Sequence, residues 1–256
     1  MKRFLLLFVP FLAVTAFAQP QFSKPHGLYN EPIRIVIKPT TAGATIRYTL
    51  DGSEPTVEST LYEQPLMISG TTILRVVEVA DGAVVGDVAT ASYIYPESVL
   101  NQSNAPEGYP QEWGPFCQIS GTAPAYYEMY RGFDDYDTMV PYMEQGLRDL
   151  PLLSIVTDRD HLFSHERDDE TGGIYIYTGT PVGDPIGRGW ERPVSIELMG
   201  GPQGHDLTAQ CGIVIHGGHG RLPEKNPKHS FRLKFKKEYG GKKTLHYAVF
   251  ASDPGR

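Results

Sequence analysis

Glycine and proline set the first constraint on this chain. Twenty-seven glycines and 21 prolines punctuate its 256 residues, and the apolar stretches between them are short. That is the pattern of strands joined by turns. Ile33-Arg34-Ile35-Val36-Ile37 alternates as a half-buried strand does, and Thr45-Ile46-Arg47-Tyr48-Thr49-Leu50 follows before the tight-turn dipeptide Asp51-Gly52. Residues 65–68, 72–79 and 88–95 continue the series, at the turn spacing of a β-sandwich.

Residues 1–18 read differently. Lys2 and Arg3 precede an apolar run over 4–14, and Ala16-Phe17-Ala18 offers small residues at a cleavage site. This predicts a secretory signal peptide and hence a secreted, periplasmic or cell-surface protein. Cleavage moves the formal net charge from −7 to −9, an acidic balance that argues against nucleic-acid partners. No later segment approaches the ~20 apolar residues of a membrane span, so no transmembrane segment is expected after cleavage. Cys117 and Cys211 are the two cysteines. Export permits a disulfide between them, while Cys211, at the start of an apolar strand, equally suits a small buried hydrophobe.

Tyr48-Thr49-Leu50-Asp51-Gly52-Ser53-Glu54-Pro55-Thr56, with Ser59 and Tyr62 after it, resembles the module at the C-terminus of chitobiases and β-hexosaminidases, also called an Fn3-associated repeat. The resemblance covers most of residues 24–95 and implies a β-sandwich there. Asp51-Gly52 makes the bend, Pro55 fixes its exit, and the Ser53 and Thr56 hydroxyls are placed to bond nearby backbone. The motif reads first as a structural corner. Its usual sugar context is association, not a binding site.

Residues 96–149 read as a linker or strap with one short helix. Asn101, Asn104, Pro106, Gly108 and Pro110 give the polar stretch, and Thr138 is the expected cap of a helix over 141–148. Trp113, Phe116, Tyr126, Tyr127, Tyr130, Phe133 and Tyr136 follow no clear period. They either stack sugars or pin the strap to the next domain, and the second reading is the plainer one. Asp134, Asp135 and Asp137 lack the glycine and distant glutamate of a calcium loop and read as a solvated acidic turn.

From residue 150 the pattern turns to strands again, at 152–156, 173–177, 194–198, 211–216 and 228–235, with Asp158 as the N-cap of a short helical turn. Leu150-Pro151, Ser154-Ile155-Val156, Leu162-Phe163 and Gly173-Ile174-Tyr175 open a sequence of matching pieces. Trp190-Glu191-Arg192-Pro193, His216-Gly217-Gly218 with Arg221, Pro227-Lys228-His229-Ser230-Phe231-Arg232 and Tyr239-Gly240 continue it. Taken in order, residues 150–256 resemble the N-terminal part of the CotH kinase-like family. The expected fold class is therefore mainly β: an N-terminal β-sandwich module, then a partial α+β, mostly antiparallel kinase-like lobe.

A kinase must hold phosphates with backbone amides and cations. Gly217, Gly218 and Gly220 let backbone approach an anion, and Arg221 and Lys228 supply positive charge, so these five are the candidate nucleotide-binding residues. A wide hairpin with a basic rim explains the same run equally well. Lys225, Lys234, Lys236, Lys237, Lys242 and Lys243 read as the charged face of an edge strand. His216 and His219 have no partners at zinc spacing, and Glu191 and Glu197 imply no shared glycosidase pocket. The resemblance implies ATP and Mg2+ as cofactors of a full-length member. The family's metal-binding and catalytic aspartates lie beyond the stretch matched here, so no catalytic residue and no metal ligand are assigned. The chain is expected to be inactive as it stands and a candidate atypical protein kinase, with a secreted protein substrate, if the gene runs past Arg256. The rival reading is a carbohydrate-binding or scaffold protein on a cell-surface glycan.

Overall fold

The computed structural model describes residues 19–114, 122–179, 185–200, 206–221, 228–240, 245 and 247. It is mainly β, a sandwich followed by an α+β region.

The sandwich is built on a five-stranded sheet of β2 (Gly27–Leu28), β9 (Ala83–Ile94), β8 (Thr72–Ala80), β5 (Thr45–Thr49) and β6 (Thr60–Leu61), in that order. Facing it are two small pairs, β1 (Gln21–Phe22) with β4 (Ile37–Lys38) and β3 (Ile33–Ile35) with β7 (Leu66–Ile68). Ile35, Ile46, Ile68, Leu74, Val76 and Tyr93 meet between the layers. The run at 33–37, expected as one strand, is divided at Val36. Its N–H goes to the Ser23 hydroxyl (2.8 Å) and its carbonyl takes the Ser23 N–H (2.9 Å), so the two halves serve different sheets. β8 and β9 form a long hairpin through Asp81 (φ 49°) and Gly82 (φ 78°), the positive pair that a two-residue hairpin turn demands.

Glu78 on β8 is 1% exposed and accepts from the Thr40 N–H (2.5 Å), the Thr40 hydroxyl (2.8 Å) and the Thr41 N–H (2.8 Å). Burial works against its ionisation, but the donors from Thr41 and Thr40 outweigh it and hold the carboxyl below its ordinary range. A depressed carboxyl stabilises the fold above its unfolded pKa, and that contribution disappears as pH falls through the folded value. Stability should therefore drop more steeply between about pH 5 and about pH 2 in the natural chain than in Glu78→Gln. Urea midpoints across that window check it, and parallel slopes would refute it.

In the second region β12 (Leu152–Val156), β13 (Arg192–Met199), β14 (Leu207–His216) and β15 (Ser230–Lys234) form one antiparallel sheet in chain order. Val194, Ile196, Cys211, Ile213 and Ile215 turn one face towards Trp113, Ile174 and Tyr175. The other face meets the sandwich. There the Ser92 N–H donates to Glu197 Oε2 (2.9 Å), and the Ser92 and Ser154 hydroxyls bond at 2.7 Å. The alternation in β13 thus marks two buried faces: Ser195 and Glu197 are as hidden as Val194 and Ile196. Cys211 is a free, fully buried thiol, pushed by burial up to about 11; Cys117 lies outside the described residues.

Residues 173–177 are not a strand. The N–H groups of Gly173, Ile174 and Tyr175 donate to the carbonyls of Ser164, His161 and Leu162 (2.9, 3.0 and 2.8 Å). These groups are spent on α3 (Arg159–Phe163) and its exit, leaving none for a neighbouring strand. A side chain at Gly173 would collide with the Leu162 carbonyl, which is why glycine stands at this close approach. The strap carries α1 (Pro96–Leu100), a hairpin of β10 (Glu112–Trp113) with β11 (Ala123–Pro124), and α2 (Tyr136–Asp149). α2 begins earlier than expected because Asp135, not Thr138, is the cap, its carboxylate accepting the Thr138 N–H (3.3 Å) and hydroxyl (2.5 Å). Asp158 holds the cap position of α3 but turns its carboxylate to the Glu54 N–H instead (2.6 Å). Among the described residues no helix is long and apolar enough to cross a membrane.

Candidate functional site

β14 delivers the chain at His216 into a turn. Gly217 takes φ 113°, and residues His219–Arg221 make one 3-10 turn closed by the Arg221 N–H on the Gly218 carbonyl (3.2 Å). The Arg221 side chain bends back on this loop. Its Nε donates to the Gly217 carbonyl (2.5 Å) and its Nη1 to the Thr178 carbonyl (2.6 Å), tying the turn to the segment after Tyr177. Gly220 O lies 3.2 Å from His229 Nδ1, and the His229 N–H donates to the Tyr175 hydroxyl (3.1 Å). Burial, the largest influence on His229, lowers its pKa. Lys228 is exposed and donates to the Glu128 carbonyl of the strap (3.3 Å). The fold thus gathers Gly217, Gly218, Gly220 and Arg221 in one turn and sets Lys228 beside it through His229.

Sequence reasoning missed two neighbours. Burial lowers the Arg221 pKa, and the charges that add to this are the like charges of Arg188 and Arg232. Arg232 comes from β15, opposite Val214 of β14, and its Nη2 lies 3.3 Å from His216 Nε2. Arg188 sits between Gly187 and Gly189, both at φ 81°. Like charges beside a glycine turn favour an anion there. The signal available in sequence was the alternation Ser230-Phe231-Arg232-Leu233-Lys234, which puts Arg232 and Lys234 on one face; nothing in it points to Arg188.

Farther along the same strand pair, Lys234 stands opposite Gly212. Its Nζ lies 2.8 Å from Glu191 Oε2; Glu191 Oε1 takes Lys236 Nζ (2.9 Å) and the Tyr239 hydroxyl (2.7 Å). Burial opposes ionisation of Glu191, yet the bonds from Lys234, Lys236 and Tyr239 prevail and hold its pKa low. Gly212 makes the room, since a side chain there would meet the Glu191 carboxylate and the Tyr239 ring. Among the described residues Glu191 and Glu197 share no partner. The described residues contain no group of three or more His, Cys, Asp or Glu able to hold a metal ion.

A cleft of about 980 Å³ opens between sandwich and sheet. At one side Arg75 Nη2 lies 3.3 Å from Glu54 Oε2 and Nη1 3.7 Å from Asp158 Oδ1. The Thr157 hydroxyl donates to the Pro193 carbonyl (2.7 Å) and so accepts from His161 Nδ1 (2.8 Å), leaving Nε2 as an acceptor. Burial keeps that ring on the neutral side. This set joins the two units. The signature corner takes part, because Glu54 belongs to it; within the corner, Asp51 Oδ1 accepts the Ser53 N–H (3.0 Å) and Thr56 Oγ1 accepts the Glu58 N–H (3.2 Å).

The family model of the chitobiase/beta-hexosaminidase C-terminal domain matches residues 24–90. No curated protein and no solved structure matches the chain.

Proposed function

We propose that this is an exported protein in which a chitobiase/hexosaminidase C-terminal-like sandwich is docked on the phosphate-holding β-lobe of a CotH-like kinase domain. The observation that carries the reading is the glycine turn opened by Gly217, braced by Arg221 on the Gly217 and Thr178 carbonyls, with Arg232 held at His216 where the turn begins. Arg221 is spent on bracing that turn, so Arg188 and Arg232, with Lys228 nearby, are the cations left to meet phosphate oxygens. Lys234, fixed by Glu191 on the same sheet, resembles by analogy the lysine–glutamate pair with which kinases hold a nucleotide. The reading is confined to grip on the phosphates.

Calorimetric titration of the full chain with ATP and with inorganic tripolyphosphate tests it. Both should bind, more weakly at higher salt, and the double substitution Arg188→Gln/Arg232→Gln should lower affinity by about tenfold or more with melting unchanged. Absence of binding, or indifference to the double substitution, would refute the reading. A second reading, attachment to glycan, has in its favour the carbohydrate-associated family match and the exposed rings of Tyr126, Tyr130 and Phe133. Retention on insoluble chitin, lost in Tyr130→Ala, would support that instead.

A further inference from the structure

We propose that the joint between the two units is a proton-operated latch, closed when His26 is an imidazolium held between Glu197 and Asp206 and loosened when the ring is neutral. His26 lies just before β2 of the sandwich, and both its nitrogens face carboxylates of the second unit. Nδ1 is 2.8 Å from Glu197 Oε1 and Nε2 is 3.3 Å from Asp206 Oδ2. A neutral imidazole has one N–H and therefore leaves one carboxylate facing a lone pair; the imidazolium offers a donor to each.

The need for that charge comes from Glu197. It is 0% exposed, and its Oε2 accepts the Ser92 N–H (2.9 Å). Its Oε1 lies 2.8 Å from His26 Nδ1 and has no other hydrogen-bond partner among the described residues, so the positive ring is what compensates it. The contact spans the joint: His26 and Ser92 belong to the sandwich, Glu197 to β13, and Asp206 to the approach to β14. Burial raises the pKa of Tyr93, which donates to the Lys24 carbonyl (3.1 Å), and likewise that of Tyr29. The bond to Glu197 raises the pKa of His26 against the effect of burial, and attraction to Glu197 and Asp206 adds to it. A raised base contributes fully below its unfolded pKa of 6.5 and loses that contribution as pH rises through the folded value. The latch accordingly opens on the alkaline side. His26 also lines the cleft, so opening reshapes it.

Hydrogen exchange of the full chain reads this at the Ser92 amide, with the Val76 amide in the sandwich core as reference. From about pH 6 to about pH 9, the Ser92 protection factor, corrected for intrinsic exchange, should fall by about tenfold or more, while Val76 stays protected. In His26→Gln, neutral at every pH, Ser92 protection should be low and flat; Glu197→Gln, which removes the charge needing compensation, should also be flat. A flat profile in the natural chain, or the natural profile persisting in either variant, overturns the latch.

Discussion

Trp113→Ala is expected to cost about 3–5 kcal/mol of stability, the range for emptying a large aromatic site in a core. Trp113 is 2% exposed although it lies on the two-residue strand of a surface strap. Its ring packs edge-on to Tyr175 (centroids 4.8 Å) and Tyr127 (6.0 Å), and its indole N–H points to the Tyr127 hydroxyl (3.4 Å). Tyr127 and Tyr109 extend the cluster to Phe163. The sheet face carrying Ile196 and Ile213 has this indole as part of its cover, so its loss opens the core as well as freeing the strap. Urea unfolding measures the cost, and proteolysis within the strap should accelerate in parallel. A loss below about 1 kcal/mol would mean that the site collapses around the gap or that the ring is a surface feature.

Arg192→Ala is expected to cost a similar amount, about 3–5 kcal/mol, and Arg192→Lys to recover less than half of it. Arg192 is 3% exposed at the start of β13. Its Nη1 donates to the carbonyls of Asp169 and Glu191 (both 2.9 Å), its Nη2 to the carbonyl of Gly172, and the guanidinium lies 5.5 Å from the Trp190 ring centroid. Burial lowers its pKa, with Asp169 and Asp168 opposing. Alanine leaves three carbonyls without their donor, that of Gly172 buried and those of Asp169 and Glu191 partly so, and a buried acceptor left unsatisfied costs about 1–3 kcal/mol. Lysine keeps the charge but lacks the planar fork that reaches them together. Denaturant unfolding of both variants is the measurement; a lysine variant as stable as the natural chain would remove the fork from the explanation.

Legibility in the sequence followed the range of the interactions. The strands at 45–50, 72–79 and 211–216 were readable because short apolar runs bounded by turn formers are local signals, and the Asp51-Gly52 corner was readable because its bonds close within a few residues. Residues 173–177 misled because four buried side chains in a row look the same whether the chain is extended or wound against α3. Asp135 was overlooked as a cap because its partner, Thr138, was itself a plausible cap. At the candidate site, Gly217, Gly218, Gly220 and Arg221 could be named from their adjacency. Arg188 could not, since its charge bears on Arg221 only through the packing of a distant loop.

The order of turn formers and alternating runs was enough, by itself, to make this chain mainly β with a sandwich first and an antiparallel sheet after it, because turn chemistry and strand period are properties of neighbouring residues. Which faces those sheets hide was decided by the tertiary structure. Glu197 reads in sequence as the polar side of a strand. Only docking of β9 across β13 removes it from water, and once buried its charge must be met by whatever cation the other unit brings, here His26.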